Sequence, residues 1–124
     1  MMKRQKQAEQ ILREHQVDAV LAALPANIRY LSGFVGSESY LYFSEKQQVI
    51  LTDSRYTLQA EQEAKGCSVR TISSGRGYAV LLEELLEEDK ITRLGFEDGA
   101  MLYQTVRELQ EETKLGAENW VMLG

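Results

Sequence analysis

Two runs rich in aromatic and β-branched residues, Tyr40-Leu41-Tyr42-Phe43 and Gln48-Val49-Ile50-Leu51-Thr52, have only the polar stretch Ser44-Glu45-Lys46-Gln47 between them. A connection that short joins antiparallel strands. Through the rest of the chain strand-like and helix-like segments alternate, the pattern of a sheet covered by helices. One hairpin inside such an alternation narrows the choice of fold: the sheet is mixed and helices lie on its faces. The expected class is a three-layer α/β domain with a five- to six-stranded sheet and helices on both faces.

Periodicity supplies the individual elements. Residues 3–15 read as a helix, with Ala8, Ile11, Leu12 and His15 at one-face spacing. His15 is expected at its C-terminal end, where partial positive charge suits the helix dipole. The run Val17-Asp18-Ala19-Val20-Leu21-Ala22-Ala23-Leu24 is nearly continuous in apolar residues, as a buried strand requires, and Pro25 stops it. A short helix is expected over Asn27–Leu31, after which Gly33 and Gly36 bracket a loop. Beyond the hairpin, Asp53 or Ser54 offers an N-cap oxygen for a helix running to about Ala64, and Lys65-Gly66 suits its end. Residues 68–72 read as a strand. Tyr78, Leu81, Leu82, Leu85 and Leu86 form a helical stripe, with Glu83, Glu84, Glu87 and Glu88 opposite. Residues 94–97 read as a strand, and residues 100–113 as a helix with Leu102, Val106 and Leu109 on one side. Residues 120–123 read as a last strand.

Composition excludes several classes of function. At 124 residues the chain has the length of one domain. Its formal charge is −5, which disfavours nucleic acid and anionic membranes as partners. Acids dominate residues 83–113, read here as solvated helix faces rather than a docking stripe. A single cysteine, Cys67, excludes an internal disulfide and a cysteine-rich zinc site. A single histidine, His15, argues against a self-contained triad or a His-based metal site. No apolar run approaches the roughly 18 residues that cross a bilayer. No apolar stretch follows the basic N-terminus as in a secretory signal, so the expected location is cytoplasmic.

Motifs of self-sufficient catalysis are missing: there is no G-x-S-x-G elbow, Walker loop, H-E-x-x-H or C-x-x-C. Gly75-Arg76-Gly77 is too short for a dinucleotide fingerprint and reads as a bend before the long helix. Asp53, Glu97 and Asp98 stand at strand ends, as in two-metal nucleases. No further acid joins them convincingly from the first strand, where Asp18 is expected to be exposed. Cys67 reads as a strand-edge residue without an activated thiolate.

Two stretches carry more than a core needs. One is Pro25-Ala26-Asn27-Ile28-Arg29-Tyr30-Leu31-Ser32-Gly33-Phe34-Val35-Gly36-Ser37, a glycine-bracketed loop whose Phe34 and Val35 read as exposed and in want of a cover. The other is Asp53-Ser54-Arg55-Tyr56, a strand-to-helix junction where an arginine and a tyrosine stand ready to meet a carboxylate. On the residues alone, Arg55 is equally a solvated or Asp53-paired guanidinium. Tyr30 and Tyr56 are equally half-buried packing residues with wet hydroxyls.

In this order and spacing, the two stretches resemble the N-terminal domain of the creatinase/prolidase/aminopeptidase P group, the Xaa-Pro peptidases. That domain carries P-x-N-x-R-Y-L-(T/S)-G-F-x-G-S and, after a hairpin, D-(G/S)-R-Y. The matching residues are Pro25, Asn27, Arg29, Tyr30, Leu31, Ser32, Gly33, Phe34, Gly36 and Ser37, then Asp53, Arg55 and Tyr56. Ser54 stands where glycine is common. The resemblance covers essentially the whole chain and implies a ribonuclease-H-like fold without nuclease activity.

It also implies a second, C-terminal "pita-bread" domain outside these residues, holding two divalent metals, usually Mn²⁺. No ligand of those metals is assignable here, so this chain alone is expected to hydrolyse nothing. The chain is expected to be the start of a longer polypeptide, ending about where the family's linker begins. The N-terminal domain of the family builds a homodimer, and its loops help shape the partner subunit's active-site entrance for proline-containing peptides. By resemblance, the candidates for entrance or dimer-loop roles are Tyr30, Gly33, Phe34, Val35, Gly36, Ser37, Asp53, Arg55 and Tyr56. Two other readings share the fold: a stand-alone interaction module with no enzymatic role, and a creatinase-type amidinohydrolase.

Overall fold

The computed structural model describes residues 2–36 and 38–124, with side chains from residue 6 onward. Helix α1 (Met2–His15) leads into strand β1 (Ala19–Ala22) and helix α2 (Pro25–Ser32). The hairpin follows as β2 (Tyr40–Ser44) and β3 (Gln48–Thr52). Then come α3 (Thr57–Glu63), β4 (Ser68–Thr71), α4 (Tyr78–Glu88), β5 (Leu94–Phe96), α5 (Tyr103–Glu112) and β6 (Trp120–Met122). Short 3₁₀ turns at Asp98–Ala100 and Ala117–Asn119 flank α5.

The strands form one sheet in the order β4-β3-β2-β1-β5-β6. β2 is antiparallel to β1 and to β3, while β3–β4, β1–β5 and β5–β6 are parallel. Only β2 is reversed among the described strands. The hairpin is closed by the three-residue polar connection at 45–47, with the Ser44 N–H donating to the Gln47 carbonyl at 2.9 Å across the turn. The remaining connections pass through helices; the one through α2 leads into the reversed β2, and those through α3, α4 and α5 leave their strands parallel to one another.

β1 shows why its sequence is apolar throughout. Ala19 and Leu21 join a core with Leu81, Leu82 and Leu85 of α4, Leu109 of α5 and Trp120. Val20 and Ala22 join a second core with Ala8 and Leu12 of α1, Ile28 and Leu31 of α2 and Ala60 of α3. Successive side chains on a strand point to opposite faces, so a strand covered on both sides needs no polar alternation. The result is the three-layer mixed α/β architecture that the pattern predicts.

His15 closes α1, as expected, with its side chain exposed. Two local expectations are corrected. Leu102 is 77% exposed, because it is the extended residue before α5 rather than part of its buried stripe. Neither Asp53 nor Ser54 caps α3, which begins at Thr57 with no side-chain cap.

Candidate functional site

The first stretch starts from the end of α2. Gly33 has a φ of 89° and donates its N–H to the Arg29 carbonyl at 2.8 Å, closing the helix in the left-handed conformation that glycine adopts without a Cβ clash. The Ser32 hydroxyl donates to the Ile28 carbonyl and accepts the Phe34 N–H at 3.1 Å. That turns Phe34 inward. It is 1% exposed, which corrects the expectation of an exposed ring in search of a cover. Its ring meets Tyr56 edge-on with centroids 6.4 Å apart. It also explains Gly36, where a Cβ would lie 2.1 Å from Phe34 Cζ. Val35 does stand out, at 58% exposed, and its N–H donates to Glu63 Oε1 of α3 at 2.9 Å. Ser37 lies outside the described residues.

The second stretch turns on one carboxylate. Asp53 Oδ1 accepts the Arg55 N–H at 2.9 Å and Arg55 Nε–H at 3.1 Å, and Oδ2 accepts Arg55 Nη2–H at 2.8 Å. This is why Asp53 does not cap α3: both its oxygens are engaged two residues on. Its backbone carbonyl accepts the Tyr56 N–H at 3.1 Å, which makes the turn into the helix. The guanidinium lies 5.2 Å over the Tyr56 ring. Its second Nη2 contact is with Glu38 Oε2 at 2.6 Å. Hydrogen bonds to Asp53 and then Glu38 hold Arg55 firmly in its charged form, and the Arg55 side chain holds the Asp53 carboxyl below its usual range.

Loop and corner therefore meet. Glu38, Asp53, Arg55 and Tyr56 form one connected set, and the buried Phe34 ring packs against Tyr56 beneath it. Two further tyrosines support the surface. The Tyr78 hydroxyl donates to the Glu38 carbonyl at 2.8 Å, and its ring packs edge-on to Tyr40 at 5.0 Å. Burial, then the negative charge of Asp53, pushes the Tyr78 phenol up to about 12. The sequence reading missed Glu38 and Tyr78. No local signal marks either, since Arg55 reaches Glu38 across 17 residues and Tyr78 reaches it across 40.

Tyr30 does not join this surface. It is 59% exposed on α2, accepts a hydrogen bond from the Gln7 amide of α1, and lines a cleft of about 310 Å³ with His15, Glu97 and Leu123. Among the described residues no three His, Cys, Asp or Glu side chains converge as metal donors. The two carboxylates at the corner, Asp53 and Glu38, both face a guanidinium, so the donor set does not fit a metal ion. What the corner offers is an oriented, permanently charged guanidinium lying over an aromatic ring. That suits recognition of a carboxylate rather than bond cleavage. No described helix is long and apolar enough to cross a membrane.

Residues 4–122 match the family model described as the Creatinase/Prolidase N-terminal domain. Over 89 residues, 72% of this chain, the sequence is 35% identical to the uncharacterized peptidase YqhT of Bacillus subtilis (strain 168), a match spanning 25% of that protein. The fold superposes with a TM-score of 0.86 on an Xaa-Pro dipeptidase from Bacillus anthracis, at 22% identity, covering 99% of this chain and 33% of that one. An Xaa-Pro aminopeptidase from Streptococcus pyogenes superposes with a TM-score of 0.83 at 28% identity, covering 98% of this chain and 89% of that one. The chain thus spans a third or less of the first two proteins.

Proposed function

The chain belongs to the creatinase/prolidase N-terminal domain family, and on that footing we propose that it is the non-catalytic N-terminal domain of a metal-dependent Xaa-Pro peptidase. The parent enzyme hydrolyses the peptide bond preceding proline. Its two divalent metals, Mn²⁺ by expectation, belong to a C-terminal catalytic domain outside these residues. A cytoplasmic location is part of the same reading. This domain contributes to a homodimer and shapes the entrance of the partner subunit's active site. The exposed Val35 supplies apolar contact across that interface. Arg55 presents its guanidinium to a carboxylate, either that of the peptide or one of the catalytic domain.

One observation carries the proposal. Arg55 is exposed yet held in direction by a two-point contact with Asp53, and it lies over the Tyr56 ring that packs against Phe34 of the Gly33–Gly36 loop. An arginine serving only solubility needs no such fixing. The test is Arg55→Ala in the full-length enzyme. Loss of a charged hydrogen-bonding partner worth about 1.5–3 kcal/mol is expected to lower kcat/KM roughly tenfold or more, with metal content and oligomeric state unchanged. Wild-type kinetics with an intact oligomer would rule the role out.

A further inference from the structure

Arg55 does not need Glu38 to be held. Asp53 alone accepts Nε–H, Nη2–H and the Arg55 backbone N–H, which closes the side edge of the guanidinium. The end edge, Nη1 with Nη2, is the one an incoming carboxylate would grip with both oxygens. Half of that edge is taken by Glu38 Oε2, 2.6 Å from Nη2. The pair is wet, with side-chain exposures of 61% for Arg55 and 71% for Glu38. Ion pairs that exposed contribute little and give way readily to a better-placed partner.

The backbone of Glu38 is held differently from its side chain. Its φ of 53° is a left-handed conformation that non-glycine residues rarely adopt, and its carbonyl accepts the Tyr78 hydroxyl at 2.8 Å. An exposed carboxylate on an anchored backbone can leave the guanidinium without moving the loop that carries it.

We propose that Glu38 is an internal competitor for Arg55: its carboxylate covers the outer edge of the guanidinium and yields that edge to an incoming carboxylate. Glu38 thereby sets how tightly this corner takes an anionic ligand. It is a specificity-determining residue acting through Arg55, not a catalytic one. The inference rests on the proposed role of Arg55. The shared chemistry of the ligand is one planar carboxylate, from the C-terminus of the peptide or from an acid of the catalytic domain.

The test uses the full-length, metal-loaded enzyme with Ala-Pro and its C-terminal amide as substrates. Glu38→Gln is expected to lower the KM for Ala-Pro about two- to five-fold, the span of an exposed ion pair, with kcat little changed. The effect should vanish in an Arg55→Ala background. A fall confined to Ala-Pro identifies the peptide as the source of the carboxylate. An equal fall for both substrates identifies the catalytic domain. Glu38→Asn, which tolerates the left-handed conformation, should behave as Glu38→Gln does. An unchanged or raised KM in both Glu38 variants, with Arg55→Ala still impaired, overturns the competitor and leaves the role of Arg55 standing. An Arg55→Ala variant with wild-type kinetics overturns both.

Discussion

Phe34 and Gly36 act as one unit. The ring fills the core beneath the loop, and the glycine two residues on leaves room for it. Gly36→Ala would drive a methyl group into the ring, so Phe34 must shift or the loop must lift. Overpacking of this kind costs about 1–3 kcal/mol, and urea unfolding of the variant is expected to show a loss in that range. Wild-type stability would mean that the loop yields freely. The glycine pair was legible in the sequence as a turn signal, because glycine marks positions where a side chain is excluded. The direction of Phe34 was not legible. A hydrophobic residue between two glycines reads the same whether it faces solvent or core, and only the Ser32 hydroxyl bound to the Phe34 N–H turns it inward. The corner was read more fully: Asp53, Arg55 and Tyr56 do form a contact set, though with Asp53 holding Arg55 instead of capping α3.

The hairpin and the leucine stripe of α4 are local patterns, and both appear in the fold where the sequence indicates. The start of α2 is different. No side chain of its own caps it, and Pro25 occupies the first turn. Its cap comes from the far end of β5. Glu97 Oε1 accepts the Ala23 and Leu24 N–H groups at 2.7 and 2.8 Å, and Oε2 accepts the Asn27 side-chain amide. A carboxylate at a helix N-terminus also suits the dipole. The strand-end acid that resembles a metal ligand in the sequence is therefore a tether between two elements. Glu97→Ala is expected to cost about 1–3 kcal/mol by leaving partly buried donors unpaired. Amide exchange at Ala23 and Leu24 should quicken ahead of exchange in β2 and β3. Uniform exchange with unchanged stability would deny the tether its role.

Across the described residues, two cores on opposite faces of one mixed sheet hold helices α1 to α5 in place, and carboxylates tie the ends together. Asp18 is one such tie. It accepts the Thr92 N–H and hydroxyl and the Arg93 N–H at 2.7–3.1 Å, joining the entrances of β1 and β5. Burial by itself would raise its carboxyl, but the hydrogen bonds from Thr92 and Arg93 and the charge of Arg93 outweigh it, and the group lies below its ordinary value of 3.8. A carboxyl depressed in the folded state stabilises above its unfolded value, and that contribution is lost as pH falls through the folded one. Stability should therefore decline as pH drops below about 4, and Asp18→Asn should flatten the decline. For so exposed a group the difference is no more than about 1 kcal/mol. Thermal unfolding at pH 3 and pH 7 reads it directly, and an identical pH dependence in the variant would exclude Asp18 as a source. Element order, the antiparallel hairpin and the burial of β1 are legible in the sequence, because periodicity, turn chemistry and apolar runs are properties of neighbouring residues. The inward turn of Phe34, the Glu97 cap and the meeting of Glu38 with Arg55 came only with the tertiary structure. Glu97 lies 70 or more residues from the groups it holds, and Glu38 lies 17 from Arg55. Contacts over such separations are decided by how the layers pack, which local pattern does not encode.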